Sequence, residues 1–422
     1  MNIENSRQLR KPIQALIDEG SRINSFKPQK YWYPLSMATY DVEEILAAVD
    51  SMCSFRTTMW EKTMRFEQAF SNMFHHAEAV MVNSGSSADL LIAFALVNPD
   101  VKKLQQGDEI LIPSVTWPTQ IWSAMMAGLK VSLVDVDPLN LNVEIHDLER
   151  KITPRTRAVS LVHLMGNPCE MDKINDICRK NNLALIEDCC ESLGAKFDGK
   201  DVGTFGFASS YSFFFSHHIT TMEGGMICCQ DKEVSDTFRL LRAHGWARNV
   251  KYRQLTHETD VDPRYMFLNW GFNVRPTELQ AGFGLVQLGR LPAFHRQRTK
   301  NVEYFKKYLD NHADIMYLMN VHPKAECSWF CLPIMLKPEC PFKKEDFLAY
   351  LESKGIETRP IVAGNLALQP VSNYFPDMCN SNLPGANIIH KNGFYLGLYP
   401  FDSFNLLDRV CESFDDFIKK YK

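Results

Sequence analysis

Two adjacent histidines, His217 and His218, follow an aromatic run at 210–215 and precede a Thr-Thr-Met-Glu-Gly-Gly turn. Histidine is the side chain whose unperturbed pKa makes it a ready proton acceptor near neutral pH. Because the aromatic run predicts a strand, the pair stands where that strand ends. This segment alone leaves two interpretations open: a proton-transfer group, or two hydrogen-bonded structural residues.

Small polar residues fill the turn between a predicted strand at 78–83 and the helix that follows it. The turn reads Asn-Ser-Gly-Ser-Ser over residues 83–87. Backbone N–H groups and hydroxyls at a helix N-terminus suit a phosphate group. A serine that caps the helix is the alternative interpretation.

Two further segments place polar residues beside predicted elements. Asp188 ends the apolar strand 183–188, and Glu191 follows three residues later. A carboxylate at a strand end is a candidate ligand or charge partner, or a loop residue that caps the next turn. Asn273 and Arg275 lie just before the start of a predicted helix, where they could reach a ligand or a neighbouring subunit.

The elements that must position these residues alternate between short apolar strands and helical patterns. The predicted strands are 78–83, 109–114, 130–137, 158–166, 183–188, 210–215 and 225–229, and the predicted helices are 42–52, 120–127, 172–182 and 232–243. This alternation predicts an α/β fold with a mostly parallel sheet that helices cover on both faces. Ligands on such sheets bind outside the carboxyl ends of the strands.

The pattern changes along the rest of the chain. A long helical pattern begins at Pro276, and beyond about residue 320 come a strand (327–336), a helix (344–355), a strand (356–361) and a closing helix (407–422). We therefore predict four regions: an N-terminal extension (1–30), a large domain (31–275), a connecting helix region (276–320) and a small C-terminal α+β domain (321–422).

The composition is ordinary for a soluble globular protein. In 422 residues, 46 Lys and Arg oppose 50 Asp and Glu, so the charge gives no reason to expect nucleic acid or an anionic membrane as partner. Because no apolar run suits a spanning helix or a secretory signal, we expect a cytoplasmic protein. The 12 cysteines include no CxxC pair, so we expect reduced thiols and no metal site.

In their order and spacing, the four segments resemble the DegT/DnrJ/EryC1/StrS sugar aminotransferases, which act on nucleotide-linked keto-sugars with pyridoxal 5'-phosphate. The resemblance covers roughly residues 30–420. It implies fold type I, the aspartate aminotransferase type. This is an α/β fold with a large cofactor-binding domain, a mostly parallel mixed seven-stranded sheet and a smaller C-terminal α+β domain. It also implies a homodimer with shared active sites.

The resemblance assigns a role to each cofactor-binding residue. Four would hold the phosphate: Gly85, Ser86, Ser212 and the partner subunit's Asn273. Three would hold the pyridine ring: Trp117 stacked on its face, Asp188 paired with its nitrogen and Glu191 near its hydroxyl. A carboxylate against the ring nitrogen keeps that nitrogen protonated, and the protonated ring is the electron sink of this chemistry.

One departure from the aminotransferases concerns the residue that anchors their cofactor. Counting from Ser212, or back from Glu223, the lysine of these enzymes falls at His217. No lysine occurs between Lys200 and Lys232. A histidine cannot form the stable internal Schiff base that a lysine forms, but it can still move protons.

The string Ser-His-His-Ile-Thr-Thr-Met-Glu-Gly-Gly is similar to the histidine-containing 3-dehydratases of deoxysugar and lipopolysaccharide biosynthesis. Those enzymes use pyridoxamine 5'-phosphate to remove the C3 hydroxyl of a nucleotide-linked 4-keto-6-deoxysugar, and L-glutamate restores the amine. The resemblance implies GDP-4-keto-6-deoxymannose as the expected substrate. It makes His217 the catalytic base, with His218 as the alternate, and Arg248 a substrate contact across the dimer interface.

Two other functions and one other cofactor are alternatives to this interpretation. The chain could be an aminotransferase that tolerates histidine, which would add nitrogen to the sugar, or a non-catalytic sugar-binding relative. A sister group of dehydratases holds an iron–sulfur cluster on four cysteines. Because no cysteine lies between Cys229 and Cys327, we expect no such cluster.

Overall fold

The computed structural model describes residues 3–26, 30–253, 260–379 and 382–421. Its first nine strands are β1 (Glu78–Val82), β2 (Glu109–Pro113), β3 (Lys130–Val134), β4 (Thr156–Val162), β5 (Ala184–Asp188), β6 (Lys196–Phe197), β7 (Lys200–Asp201), β8 (Ala208–Ser212) and β9 (Gly225–Cys229). Seven of them form a sheet in the order β1-β9-β8-β5-β4-β2-β3. Strand β9 is antiparallel to both neighbours, and the other neighbouring pairs are parallel. The predicted mixed, mostly parallel seven-stranded sheet is confirmed.

Helices cover both faces of this sheet. The helices of this part of the chain are α1 (Ile3–Phe26), α2 (Val42–Cys53), α3 (Glu61–Met73), α4 (Gly85–Leu96), α5 (Thr119–Met126), α6 (Ile145–Arg150), α7 (Met171–Lys180) and α8 (Lys232–Arg242). Helices α3, α4, α5, α7 and α8 pack against strands of the sheet, and α1 packs against α2. Every residue of β1, β5 and β9 is buried, as expected for strands covered on both faces. Burial on both faces explains why their sequences are continuous apolar runs.

A long helix, α9 (Glu278–Asp310), leads from the large sheet to the C-terminal region. Its first residue caps another helix, since the Glu278 carboxylate accepts hydrogen bonds from the backbone N–H groups of Trp60 (2.7 Å) and Thr63 (3.2 Å) at the start of α3. A carboxylate at a helix N-terminus is favourable because it satisfies free donors and opposes the helix dipole. This contact ties α9 to the large sheet.

The C-terminal region has its own sheet and core. Its elements are β10 (Met316–Leu318), β11 (Ala325–Glu326), β12 (Leu332–Leu336), α10 (Lys344–Ser353), β13 (Arg359–Pro360), α11 (Pro376–Cys379), α12 (Pro384–Asn392), β14 (Gly393–Leu396) and α13 (Phe404–Ile418). Four strands form an antiparallel sheet in the order β10-β12-β14-β13, while β11 pairs with β6. The side chain of Tyr33 lies in this core, so the segment beginning at residue 31 packs against the C-terminal region.

Several predicted strands are shorter in the structure. The strand predicted at 327–336 begins only at Leu332, because the N–H groups of Ser328 and Phe330 donate to the carbonyl oxygens of Gly166 (2.9 Å) and Met165 (3.2 Å). The strand predicted at 356–361 is reduced to β13, and the one predicted at 210–215 ends at residue 212. The residues that were predicted as strand but lie outside it, such as 213–215 and 327–331, belong to loops near the candidate site.

The two chain ends also differ from the predictions. The N-terminal extension contains α1, whose Arg10 pairs with Glu43 on α2; residues 1–2 and 27–29 lie outside the described part. The closing helix predicted at 407–422 runs from 404 to 418. Residue 422 also lies outside the described part of the chain. Among the described residues, no helix combines the length and apolar character needed to cross a bilayer.

Candidate active site

A cavity of about 500 Å³ opens at the carboxyl ends of β5 and β8, beside the start of α4. This is the position at which a parallel sheet is expected to bind its ligand. Seven residues that the sequence predicts for the site line it: Gly85, Ser86, Trp117, Asp188, Glu191, Ser212 and His217. Residues more than 130 positions apart are thus brought to one place.

The phosphate end of the cavity is built around the N-terminus of α4. Ser84 caps the helix, since its Oγ accepts from the N–H of Ser87 (3.1 Å). A Cβ on Gly85 would lie 2.6 Å from Ser212 Cβ and 3.1 Å from Cys190 Sγ, so only glycine fits there without displacement. The glycine therefore lets the first turn of α4 pack closely against Ser212 and Cys190 at the edge of the cavity.

Asp188 is a buried carboxylate held by two donors. Gln120 Nε2 donates to its Oδ2 (2.9 Å), and the backbone N–H of Cys190 donates to its Oδ1 (2.9 Å). Its side chain is almost fully removed from water, and this burial raises the pKa of Asp188 above the usual range. A carboxylate in this setting gains most from a cationic partner.

Glu191 and Trp117 line other parts of the same cavity. The Glu191 carboxylate accepts from the N–H of Met165 (2.9 Å), and burial raises the pKa of Glu191 to about 7. Trp117 precedes α5 and leaves 57% of its surface exposed, which is unusual for so large an apolar ring. An aromatic face is therefore open to a ligand in the cavity.

The imidazole of His217 is oriented by one hydrogen bond. Its Nδ1 lies 2.7 Å from the carbonyl oxygen of Cys190. A carbonyl oxygen only accepts, so Nδ1 carries the proton and the lone pair of a neutral ring is on Nε2. Burial, with a smaller contribution from the Arg298 charge, lowers the pKa of His217 to about 4. The ring is therefore neutral, and Nε2 basic, at neutral pH.

His218, the alternate base, does not line the cavity. It is 1% exposed, and its Nε2 donates to the carbonyl oxygen of Ser328 (2.7 Å). This contact joins the histidine loop to the segment before β12. His218 therefore fits the second interpretation of the histidine pair, that of a hydrogen-bonded structural residue.

Asn273 and Arg248 are both exposed and are not among the residues that line the cavity. Asn273 Oδ1 accepts from Arg275 Nε (2.9 Å), and the Arg248 guanidinium lies 5.3 Å from the ring centre of Trp246. Neither reaches the cofactor cavity within one subunit. Their predicted roles concern a partner subunit, so they stay predictions.

Sequence reasoning missed Asp89, a further carboxylate in the wall of the cavity. Asp89 lies on α4, is 7% exposed, and accepts from Thr119 Oγ1 (2.9 Å). Burial and the nearby Asp188 raise its pKa well above the usual range. A signal was available, because Asp89 is the one charged residue of the helix sequence GSSADLLIAFAL.

Asp89→Asn is expected to stabilise the cofactor-free protein, more at pH 8 than at pH 5. A carboxyl group whose pKa is raised by folding contributes stability at low pH and loses it as pH rises through the folded-state pKa. Asparagine keeps an acceptor for Thr119 and removes the like charge beside Asp188. Melting temperatures at the two pH values measure the effect. Asp346→Asn, on the surface of α10, is the control, and an equal gain at both pH values would contradict the prediction.

One ligand-capable cluster lies apart from the cavity. His163, Glu187 and Cys189 are buried with their ligand atoms within 4.8 Å of one another. The Glu187 carboxylate already accepts backbone N–H bonds from Gly203 (2.7 Å) and Phe205 (2.8 Å) and contacts His163 Nε2 (3.2 Å). These hydrogen bonds satisfy the oxygen atoms of the buried Glu187 carboxylate.

Comparison with known proteins identifies the family of this chain. Residues 39–415 match the DegT/DnrJ/EryC1/StrS aminotransferase family. The chain belongs to the DegT/DnrJ/EryC1/StrS aminotransferase family. The family and fold class predicted from the sequence are thereby confirmed.

Within this family, the chain is 38% identical over 385 residues to a GDP-4-keto-6-deoxy-D-mannose 3-dehydratase of Escherichia coli O55:H7, covering 90% of this chain and 98% of that one. A structure of the E. coli enzyme with bound hydrated PLP superimposes with a TM-score of 0.86 at 35% identity, over 91% and 99% of the two chains. A structure of a GDP-4-keto-6-deoxymannose-3-dehydratase with a trapped PLP–glutamate geminal diamine gives 0.85 at 35% identity, over 90% and 99%.

The cavity fits the pyridoxal phosphate that the DegT/DnrJ/EryC1/StrS family uses. Gly85 and Ser86 line the cavity at the N-terminus of α4, a position that suits the phosphate. Asp188 is a buried carboxylate, which suits a protonated ring nitrogen, and Trp117 has a free aromatic face. The side chains present therefore match the three chemical parts of this cofactor.

Gly85→Ala is expected to weaken cofactor affinity roughly tenfold or more. The added methyl group would lie 2.6 Å from Ser212 Cβ, and overpacking of this kind costs about 1–3 kcal/mol. Absorbance titration with pyridoxal phosphate measures the affinity. Gly289→Ala is the matched control, since nothing lies within 4 Å of that position. Unchanged affinity in Gly85→Ala would contradict the assignment of Gly85 and Ser212 to the phosphate site.

Proposed function

We propose that the protein is a pyridoxamine/pyridoxal phosphate-dependent 3-dehydratase of a nucleotide-linked 4-keto-6-deoxysugar, with GDP-4-keto-6-deoxymannose as the expected substrate. L-glutamate regenerates the amine form of the cofactor, and the product serves deoxysugar and lipopolysaccharide biosynthesis. The observation that carries the proposal is His217, whose free Nε2 stands in a cofactor cavity where the aminotransferases carry a lysine.

The cofactor is held by residues from four segments. Gly85, Ser86 and Ser212 bind its phosphate, and their place together in the cavity wall at the N-terminus of α4 supports this assignment. Trp117 stacks on the ring with its exposed face. Asp188 pairs with the ring nitrogen, supported by its burial and its two donors.

When bound, the cofactor supplies an amine that links to the C4 ketone of the sugar and a ring that accepts electrons. His217 would then act as the base that accepts a proton on Nε2 beside that amine, and its protonated ring would assist departure of the C3 hydroxyl. The carbonyl of Cys190 keeps the proton of the imidazole on Nδ1, so Nε2 is the atom that receives the new proton. Glu191, with a pKa of about 7, lies near the ring hydroxyl and can share its proton.

The active enzyme is a homodimer in which each subunit completes the other's site. Asn273 contributes to the phosphate site of the neighbouring subunit, and Arg248 contacts its substrate. Both side chains are exposed and neither lines the cavity of its own subunit, which supports a role across an interface.

The test is product identification. The protein is incubated with cofactor, L-glutamate and nucleotide-linked 4-keto-6-deoxyhexoses that carry GDP, CDP or dTDP, and the products are analysed by mass spectrometry and NMR. We expect a 3-deoxy-4-keto sugar, formed fastest from the GDP substrate. An amino sugar that keeps its C3 hydroxyl would support the aminotransferase alternative, and failure to bind any cofactor would support the non-catalytic one.

A further inference from the structure

A second cavity of about 250 Å³ lies beside His217. Six residues line both cavities: Phe214, Ser216, His217, Phe330, Arg359 and Tyr395. The rest of its wall comes from the segment 35–39, the stretch 398–400, Arg298 of helix α9, and the residues Phe215, Cys331 and Glu357. The roles proposed so far for phosphate, ring and base leave this second space without a function.

Arg298, on α9, is the most unusual residue in its wall. It is 4% exposed, and its Nη1 donates to the carbonyl oxygens of Trp329 (3.2 Å) and Phe330 (2.9 Å). Its Nε has no acceptor among the described residues, and no described carboxylate forms an ion pair with it. A buried charge without a counter-ion is costly, so the fold gains when an anion enters the cavity.

The other charged groups of this cavity define the charge of that anion. Arg359 is already engaged, because its Nη2 donates to Glu357 Oε1 (2.8 Å). His217 is neutral at neutral pH, since burial lowers its pKa to about 4. The lining therefore has an excess of one positive charge, which matches a single carboxylate better than a doubly charged diphosphate. A guanidinium pairs with a carboxylate in a two-pronged geometry.

We propose that this second cavity binds the side-chain carboxylate of the acidic amino acid that donates the amine, and that Arg298 is the partner of that carboxylate. The proposal deepens the proposed function and rests on it. The donor's amino group must react in the cofactor cavity near His217. The side chain of the donor then extends past the residues that line both cavities and places its second carboxylate in the second cavity. The cavity thereby selects an acidic donor over an apolar one of the same length.

The test compares two donors on the cofactor-loaded protein. Conversion of bound pyridoxal phosphate to its amine form is followed by absorbance, with L-glutamate and with L-norvaline, which carries a methyl group where glutamate has the distal carboxylate. Arg298→Gln is expected to lower kcat/KM for glutamate roughly 10- to 150-fold and to lower that for norvaline far less. Arg298→Lys keeps the charge without the fork and is expected to be intermediate. Arg296→Gln, exposed on the same helix, is the control.

A binding measurement gives a readout that needs no reaction. Glutarate, which has two carboxylates and no amine, is titrated calorimetrically into the loaded wild-type protein and the variants. We expect it to bind the wild type more tightly than butyrate does, and to lose that advantage in Arg298→Gln. If this variant fails to fold, Arg298→Lys and the wild-type comparison of donors still decide the matter.

Three results would overturn the proposal. They are equal reactivity of glutamate and norvaline on the wild type, equal losses for both donors in the variants, and a raised KM for the nucleotide sugar with an unchanged glutamate reaction. The last would assign the cavity to the nucleotide phosphates. Failure of the proposed function is distinguishable, because the protein would then convert the cofactor with glutamate but leave the C3 hydroxyl of every sugar in place.

Discussion

Replacing His217 by asparagine is expected to lower the rate of C3 dehydration about 10²–10⁴-fold, the usual contribution of a general base, while cofactor affinity stays nearly unchanged. The asparagine amide can still donate to the Cys190 carbonyl, so the loop keeps its conformation. It has no basic nitrogen, so no group remains at Nε2 to take the proton. Single-turnover dehydration by protein loaded with the amine form of the cofactor measures the rate, and absorbance titration measures the affinity.

The neighbouring histidine provides the matched control for this prediction. His218→Asn removes a buried contact with Ser328 and is expected to lower the melting temperature, with the dehydration rate staying within about tenfold of wild type. The two variants thus separate chemistry from stability. Full activity in His217→Asn, or a larger rate loss in His218→Asn, would assign the base elsewhere.

Asp188→Asn is expected to weaken binding of pyridoxal phosphate by about 2–5 kcal/mol, because it removes one partner of a buried charge pair. Gln120 and the N–H of Cys190 would then face a neutral amide, and the ring nitrogen would lose the group that keeps it protonated. The rate should fall as well, since an unprotonated ring is a weaker electron sink. Titration across pH 6–9 measures the affinity.

Asp89→Asn is the matched comparison for Asp188→Asn, since it makes the same chemical change in the wall of the same cavity. We expect it to keep cofactor affinity within about tenfold, because Asp89 is paired with Thr119 and not with the ring. Similar losses in both variants would mean that the two carboxylates act together on the ring nitrogen. Tight binding by Asp188→Asn would refute the assignment.

The sequence predicted the residues that follow strands more successfully than those contributed by packing. Asp188 and Ser212 each end a strand, and the carboxyl ends of parallel strands meet at one edge of a sheet. Arg298 reaches the site from the middle of a long helix, where neither a strand end nor a turn marks it. Its importance depends on which chain segments close around it.

Some elements were missed because their stabilising contacts come from distant residues. Helix α3 begins after Trp60, which provides no side-chain cap, so the usual N-terminal signal is absent. Glu278 supplies that cap from more than 200 positions away. Similarly, the apolar residues 327–331 predict a strand by composition, but Ser328 bonds to the turn at Gly166.

The hydrogen bond from His217 to the Cys190 carbonyl has an evolutionary consequence. A main-chain oxygen aims the imidazole, so mutation of the side chain at position 190 leaves that acceptor in place. The same short segment carries Asp188 and Glu191, so the backbone path that aims the imidazole also places these two carboxylates at the cavity. Substitution at position 190 is therefore limited by the packing of its side chain beside Gly85, while the direction of proton transfer stays the same.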